Sequence, residues 1–249
     1  MSNDNVYTFA YAGAVCLVCS LLLSVAAIQL KPIQEENVKL DKQKNILKAF
    51  ALADSDTDAA IVKEKFTKFV KGFVIDKSGK TVEGLTPETL DVKKTCSVHP
   101  NDLAKNAEDC LLPVFKKVEN GATTGLAFGI EGQGLWSRLK GYLALKSDGD
   151  TVEGLAFYSQ AETAGLGGEI AENWFQDNFK DKKIYNAANE LVSVVVAKGE
   201  AKNATTPIAH TVDGISGATI TSDGVTDLLI HALGMYKPYL TKFREGGNS

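Results

Sequence analysis

Four hydroxyls crowd into Asp213-Gly214-Ile215-Ser216-Gly217-Ala218-Thr219-Ile220-Thr221-Ser222, a run of small side chains that leads directly into an amphipathic helix. Ser222 is placed to cap that helix, and Val225, Leu228, Leu229, Ala232 and Leu233 form the apolar stripe behind it, predicting a helix over 222–236. The turn therefore delivers Ser216, Thr219 and Thr221 to a helix N-terminus. Unpaired N–H groups and a partial charge of about +0.5 make that end a natural place for phosphate. Gly217 and Ala218 leave room for a bulky group to approach the backbone. The chemistry this pattern supports is anion binding; a plain helix cap is the simpler alternative, and neither implies a covalent bond.

Other spacings invite chemistry and fail. Asp54-Ser55-Asp56-Thr57-Asp58 starts like a calcium loop, but Ala59 and Lys65 stand where that loop needs Gly and a bidentate Glu. A solvated helix start explains these acids better. Gly132-Gln133-Gly134-Leu135-Trp136-Ser137 lacks the third Gly of a dinucleotide fingerprint. Ala218 stands where a nucleophile elbow beginning at Gly214 needs Gly, which argues against a hydrolase despite His210 and His231. Cys16 and Cys19 have metal-ligand spacing, yet small apolar residues on a helix account for them more simply. Cys96 and Cys110 flank a polar loop; an oxidising compartment leaves open either a disulfide between them or two thiols, and the cytoplasm implies free thiols.

The elements that must position the hydroxyl turn read as follows. From Val6 to Leu30 there is no Asp, Glu, Lys or Arg, a stretch long enough to span a bilayer as a helix. Its length, and the lack of a basic start, favour a retained anchor over a cleaved signal peptide. Ile33, Leu40 and Leu47 then recur every seven residues in a charged helical stalk, and Asp54 and Asp56 open a second helix with Ile61, Val62, Phe66, Phe69 and Val70 on its buried face. Gly72–Ile75 and Thr81–Val82 flank an Asp-Lys-Ser-Gly turn, and Asn120-Gly121 and Asp148-Gly149 mark further tight turns, the latter joining strands at 142–145 and 155–158. A buried strand is expected over 191–197 and a helix over 172–179. Strands outnumber helices without strict alternation, so the predicted class is α+β. The expected organisation is an N-terminal transmembrane anchor (1–31), a helical stalk (32–53) and a strand-rich domain (54–249).

The net charge of −4 shows no basic stripe, which argues against nucleic acid as the main partner. With nothing basic before the anchor and Lys31, Lys39, Lys42 and Lys44 after it, charge alone places the large domain in the cytoplasm.

Ser216-Gly217-Ala218-Thr219, with Asp213 before it, resembles the flavinylation motif of proteins with an FMN-binding domain. In that family a flavin transferase moves FMN from FAD onto the last Thr of the motif, which implies covalent FMN on Thr219 as a phosphoester. Gly132-Gln133-Gly134-Leu135-Trp136 with Gly141–Leu145 resembles the family's strand entering the flavin site, and Gln160–Glu169 its flavin-facing loop, with Ala164 where Pro is usual. Together with the anchor and stalk, the likeness covers nearly the whole chain. It is to the C-subunit family of sodium-translocating NADH:quinone reductases. The equivalent subunit of the related ferredoxin:NAD complex has the same motif, and a non-redox membrane-anchored binding module is the rival from another class.

The resemblance implies a redox-driven translocase subunit of the bacterial inner membrane. Its large domain would face the periplasm, against the lysine count, and its partners would be the other subunits and the transferase. It implies Trp136, Glu162, Thr163 and Leu166 around the flavin, and Ser216, Gly217 and Ala218 beside its phosphate. Packing in the core is the plainer reading of Trp136 and Leu166, and a surface carboxylate that of Glu162. No catalytic side chain and no metal are expected, and the anchor holds no carboxylate for sodium.

Overall fold

A computed structural model describes residues 3–87, 90 and 110–246. The chain divides into two compact units, Met1–Asp41 and Lys42–Ser249.

The first unit is helical throughout its described residues, the opening part of α1 (Asn3–Ala49). A window of its residues has mean hydropathy 2.3 and none of it is buried, so the helix is long and apolar enough to cross a membrane. Leu21, Leu22 and Leu23 all expose their side chains. The helix does not stop at Pro32, where the stalk was expected to begin.

Among the described residues, the second unit is built on an antiparallel sheet of six strands in the order β2-β1-β3-β4-β5-β6. They are β1 (Val70–Asp76), β2 (Thr81–Val82), β3 (Leu111–Glu119), β4 (Ala122–Gln133), β5 (Arg138–Lys146) and β6 (Val152–Ser159). The three turn signals fall where expected. Asp76 takes the N–H groups of Ser78 and Lys80 on its carboxylate, closing the first hairpin. Asn120 and Gly121 both adopt positive φ between β3 and β4, and Asp148 accepts from the N–H groups of Asp150 and Thr151 between β5 and β6.

Both faces of the sheet are covered. On one, Val114, Phe128 and Leu143 lie in the core with Val225, Leu228, Leu229, Ala232 and Leu233, the predicted stripe of the last helix. Tyr236 from that helix lies 4.6 Å from the Phe128 ring and donates its hydroxyl to the carbonyls of Pro113 (3.0 Å) and Gly129 (3.4 Å). On the other, Phe66 of α2 (Ala59–Phe69) meets Phe115 edge-on, and Phe115 meets Tyr142. The last turns of α1 belong here, with Ile46, Leu47, Ala49 and Phe50 fully buried. Each such large side chain contributes roughly 1.5–3 kcal/mol.

Several boundaries differ from the pattern in the sequence. Helix α2 is capped by Asp58, not by Asp54 or Asp56, and Ile61 is exposed. Between 191 and 197 only β7 (Val195–Val196) is a strand, paired in parallel with β8 (Thr211–Val212). The helix expected over 172–179 is shorter, α3 (Asn173–Asp177), preceded by a 3-10 turn at Gly167–Ala171. The final helix α4 runs over Thr219–Arg244, beginning three residues early and passing through Pro238.

Of the cysteines, Cys16 and Cys19 are free and exposed, and Cys110 is disulfide-bonded. Cys96 lies outside the described residues.

Candidate functional site

Helix α4 packs so closely on the end of β4 that neither Gly132 nor Gly224 could carry a side chain. A Cβ at Gly132 would stand 2.6 Å from Leu228 Cβ, and one at Gly224 would stand 2.4 Å from the Gln133 carbonyl oxygen. Bare backbone at these two points fixes where the helix begins. Its N-cap is Ala218, whose carbonyl accepts from Ser222 N at 2.9 Å; no side chain caps it, and its first turn carries no acid. Ser222 is thus inside the helix and not its cap, a correction that follows from the hydroxyl turn closing sooner. Ala218 N donates to the Ile215 carbonyl at 3.1 Å, and Gly217 supplies the φ of +75° the turn then needs.

The hydroxyls of this segment now separate. Ser216 and Thr219 are exposed, while Thr221 and Ser222 are 1% and 3% exposed. Thr221 Oγ1 donates to Glu162 Oε2 at 2.7 Å. Ser222 Oγ has no hydrogen-bond partner among the described residues.

Glu162 is buried, not a surface carboxylate, and ties three segments together. Its carboxylate accepts from the N–H of Leu135 (3.1 Å), Trp136 (3.0 Å) and Ser137 (3.0 Å), from the Ser137 hydroxyl (3.1 Å) and from Thr221. Burial works against its charge, but the hydrogen bonds from Thr221, Trp136 and Ser137 outweigh it and hold the carboxyl below its ordinary pKa. Gly167 makes room for this arrangement, since a Cβ there would come within 2.5 Å of Thr221 Oγ1.

Around this anchor the other expected residues sit at the surface. Trp136 is 71% exposed and Leu166 is 42% exposed, so neither is core packing. Thr163 is exposed, and its carbonyl accepts from Leu166 N (3.1 Å) and Gly168 N (2.9 Å), closing the loop after Glu162. Leu166 lies against Gly217, where an added Cβ would meet its Cδ2 at 3.0 Å. The loop containing Glu162, Thr163 and Leu166 is therefore brought to the Ser216–Thr219 turn, and Glu162 also holds the backbone of Trp136.

An open groove of about 600 Å³ adjoins the turn, lined by Ser216, Gly217, Thr219, Ser222, Lys198 and Trp174 among others. Trp174 is absent from the sequence-based candidates. Its indole N–H donates to Glu169 Oε2 at 2.9 Å and its ring meets Phe175 edge-on, which pins a half-exposed indole beside the groove. Only its place on α3, a helix too short to show clear periodicity, could have marked it in advance.

An exposed threonine at an uncapped helix N-terminus, a groove beside it and a buried hydroxyl without a partner together fit a phosphorylated ligand with a bulky remainder. Residues 134–234 match the family model described as FMN-binding domain, which makes the class a flavin-phosphate domain. The chain is 39% identical over 252 residues to the C subunit of the Na(+)-translocating NADH-quinone reductase of Haemophilus ducreyi, covering 95% of this chain and 93% of that protein. It is 35% identical over 251 residues to the same subunit of Pseudomonas aeruginosa, covering 96% of each. The crystal structure of the same subunit from Parabacteroides distasonis superposes with a TM-score of 0.72 at 32% identity, over 85% of this chain and 97% of that one. This chain belongs to the C-subunit family of the Na(+)-translocating NADH-quinone reductase, and its FMN-binding domain makes it a flavin subunit of that oxidoreductase.

Proposed function

We propose that this chain carries one FMN in phosphoester linkage to Thr219 and passes electrons between neighbouring carriers of a membrane complex that couples NADH:quinone reduction to sodium translocation. The observation that carries the reading is the contrast between two threonines of one helical turn: Thr219 is exposed beside the groove, whereas Thr221 is buried and bonded to Glu162.

Attachment needs an accessible hydroxyl. A flavin transferase acting on FAD would form the bond from Thr219 Oγ1 to the FMN phosphorus, break the pyrophosphate linkage and release AMP, with the hydroxyl proton lost to a base. A bound flavin supplies reversible electron acceptance and donation. The chain's own residues hold and screen it. The N–H groups at the start of α4, with Ser216, Gly217 and Ala218 beside them, would hold the phosphate. Leu166 and Trp136 would offer apolar surface to the ring and Thr163 a polar edge, while Glu162 fixes the segments that present them. No side chain is assigned a role in bond-making at the ring.

Residues 1–31 serve as the anchor and 54–249, joined by the last turns of α1, as the flavin domain. A disulfide at Cys110 supports an oxidising, periplasmic side of the bacterial inner membrane for that domain, against the orientation the lysines alone suggest.

Two comparisons test the reading. Thr219→Val should abolish covalent flavin, read as fluorescence of the protein band under denaturing electrophoresis, while Thr221→Val lowers the amount, having lost the bond to Glu162, but keeps the attachment; the reverse pattern would move the attachment to the other hydroxyl. Protease added to spheroplasts should digest the large domain, and digestion only in inverted vesicles would place it in the cytoplasm.

A further inference from the structure

We propose that Ser222 Oγ is the buried hydrogen-bond donor to the phosphoryl group carried by Thr219, so that the ester is held from inside the helix as well as from its end. This rests on the assignment of FMN to Thr219.

The two residues are three apart on α4, which places their side chains on the same face of the helix. Helical side chains lean toward the N-terminus, so the one at 222 points back to the start of the helix. Both line the same groove, Thr219 exposed and Ser222 only 3% exposed. Of the other hydroxyls nearby, Ser216 is exposed and the two buried or half-buried ones, Thr221 and Thr226, are already engaged. Thr221 donates to Glu162, and Thr226 donates to the Ser222 carbonyl (3.2 Å) while accepting from Val196 N (3.0 Å). Ser222 Oγ is buried with no partner among the described residues, an arrangement folded proteins rarely keep.

The charges along the groove leave that donor a role. Asp213 accepts from Ala201 N at 2.6 Å, and Glu200 is paired with Lys202. Lys198, which lines the groove, reaches Asp223 at 3.6 Å and is otherwise solvated, so its charge is shared with a carboxylate. Neutral donors then carry the anion: the free N–H groups of the first turn, the exposed hydroxyl of Ser216 and the buried one of Ser222.

The test compares full-length protein in detergent, with and without co-expressed flavin transferase, as parent, Ser222→Ala and Ser222→Thr. Peptide mass reports whether Thr219 carries the flavin, thermal unfolding gives the rise in Tm on flavinylation, and phosphorus NMR reports the environment of the ester. The expected result is that Ser222→Ala without flavin melts at or above the parent, because an unsatisfied buried hydroxyl is gone. Its rise in Tm on flavinylation should fall by half or more, with a shifted phosphorus resonance, and Ser222→Thr should keep the parent's resonance. An equal rise and an unchanged resonance in flavinylated Ser222→Ala would overturn this inference alone. An unmodified Thr219 despite active transferase would overturn the attachment itself, and this inference with it.

Discussion

Glu162 and Thr221 meet through a 2.7 Å hydrogen bond although 59 positions separate them in sequence. That contact joins the loop after β6 to the first turn of α4, and the same carboxylate also gathers the N–H groups of the β4–β5 turn. The position of the exposed threonine two residues earlier therefore depends on a carboxylate that need not touch the flavin.

Glu162→Ala should lose roughly 2–4 kcal/mol, because removing the acceptor leaves buried donors unpaired. Glu162→Gln keeps the shape but only one accepting oxygen, and should lose less, about 1–2 kcal/mol. Denaturant unfolding of the two variants checks the order. Flavin content should fall in parallel, since both the loop and the helix start are loosened.

The same carboxylate predicts a pH dependence. Its pKa is lower folded than unfolded, so its contribution is complete above the ordinary value of about 4.5 and is lost as pH falls through the folded value. Glu153 runs the other way: burial, only partly offset by Lys117, raises its pKa, so its stabilising effect grows as pH falls. Comparing the parent with Glu162→Gln isolates the first effect. The gap in Tm between them should be widest near neutrality and should narrow toward pH 4; a gap that widened on acidification would contradict the assignment.

Much of this framework is legible in the sequence, and the misses have physical causes. The hairpins are marked because Asp76, Asn120-Gly121 and Asp148-Gly149 encode their own turns locally. The apolar stripe from Val225 to Leu233 is legible because a helix on a sheet must bury one face. The start of α4 is not, since Ser222 looks like a cap in isolation and becomes buried only because Gly132 and Gly224 let the helix close onto β4. Its end is not either: Pro238 signals a stop, yet the helix runs through it to Arg244. Glu162 reads as a surface acid because every one of its donors lies at least 25 positions away.

Gly217→Ala should impair flavin transfer more than folding. The residue sits at φ +75°, and an added Cβ would stand 3.0 Å from Leu166. Strain of about 1–2 kcal/mol is expected at an exposed turn that can relax. Unfolding should shift by only a few degrees, while the initial rate of flavinylation with purified transferase falls severalfold. A variant flavinylated at the parental rate would show that the turn geometry is not what the transferase reads.

Tyr236→Phe tests the hold of α4 on the sheet. Its buried phenol has a pKa raised far above the ordinary value by burial, so it stays a neutral donor to Pro113 and Gly129. Removing it should cost about 1–2 kcal/mol, visible as a lower Tm, with flavin content unchanged because the start of the helix is anchored separately.

Covalent attachment at Thr219 is decided by peptide mass spectrometry of the protein taken from its native membrane or co-expressed with a flavin transferase. The peptide containing Thr219 should be heavier by one FMN less one water, with fragmentation placing the added mass on Thr219. An unmodified peptide in the presence of active transferase, or the mass on Thr221, would refute that attachment.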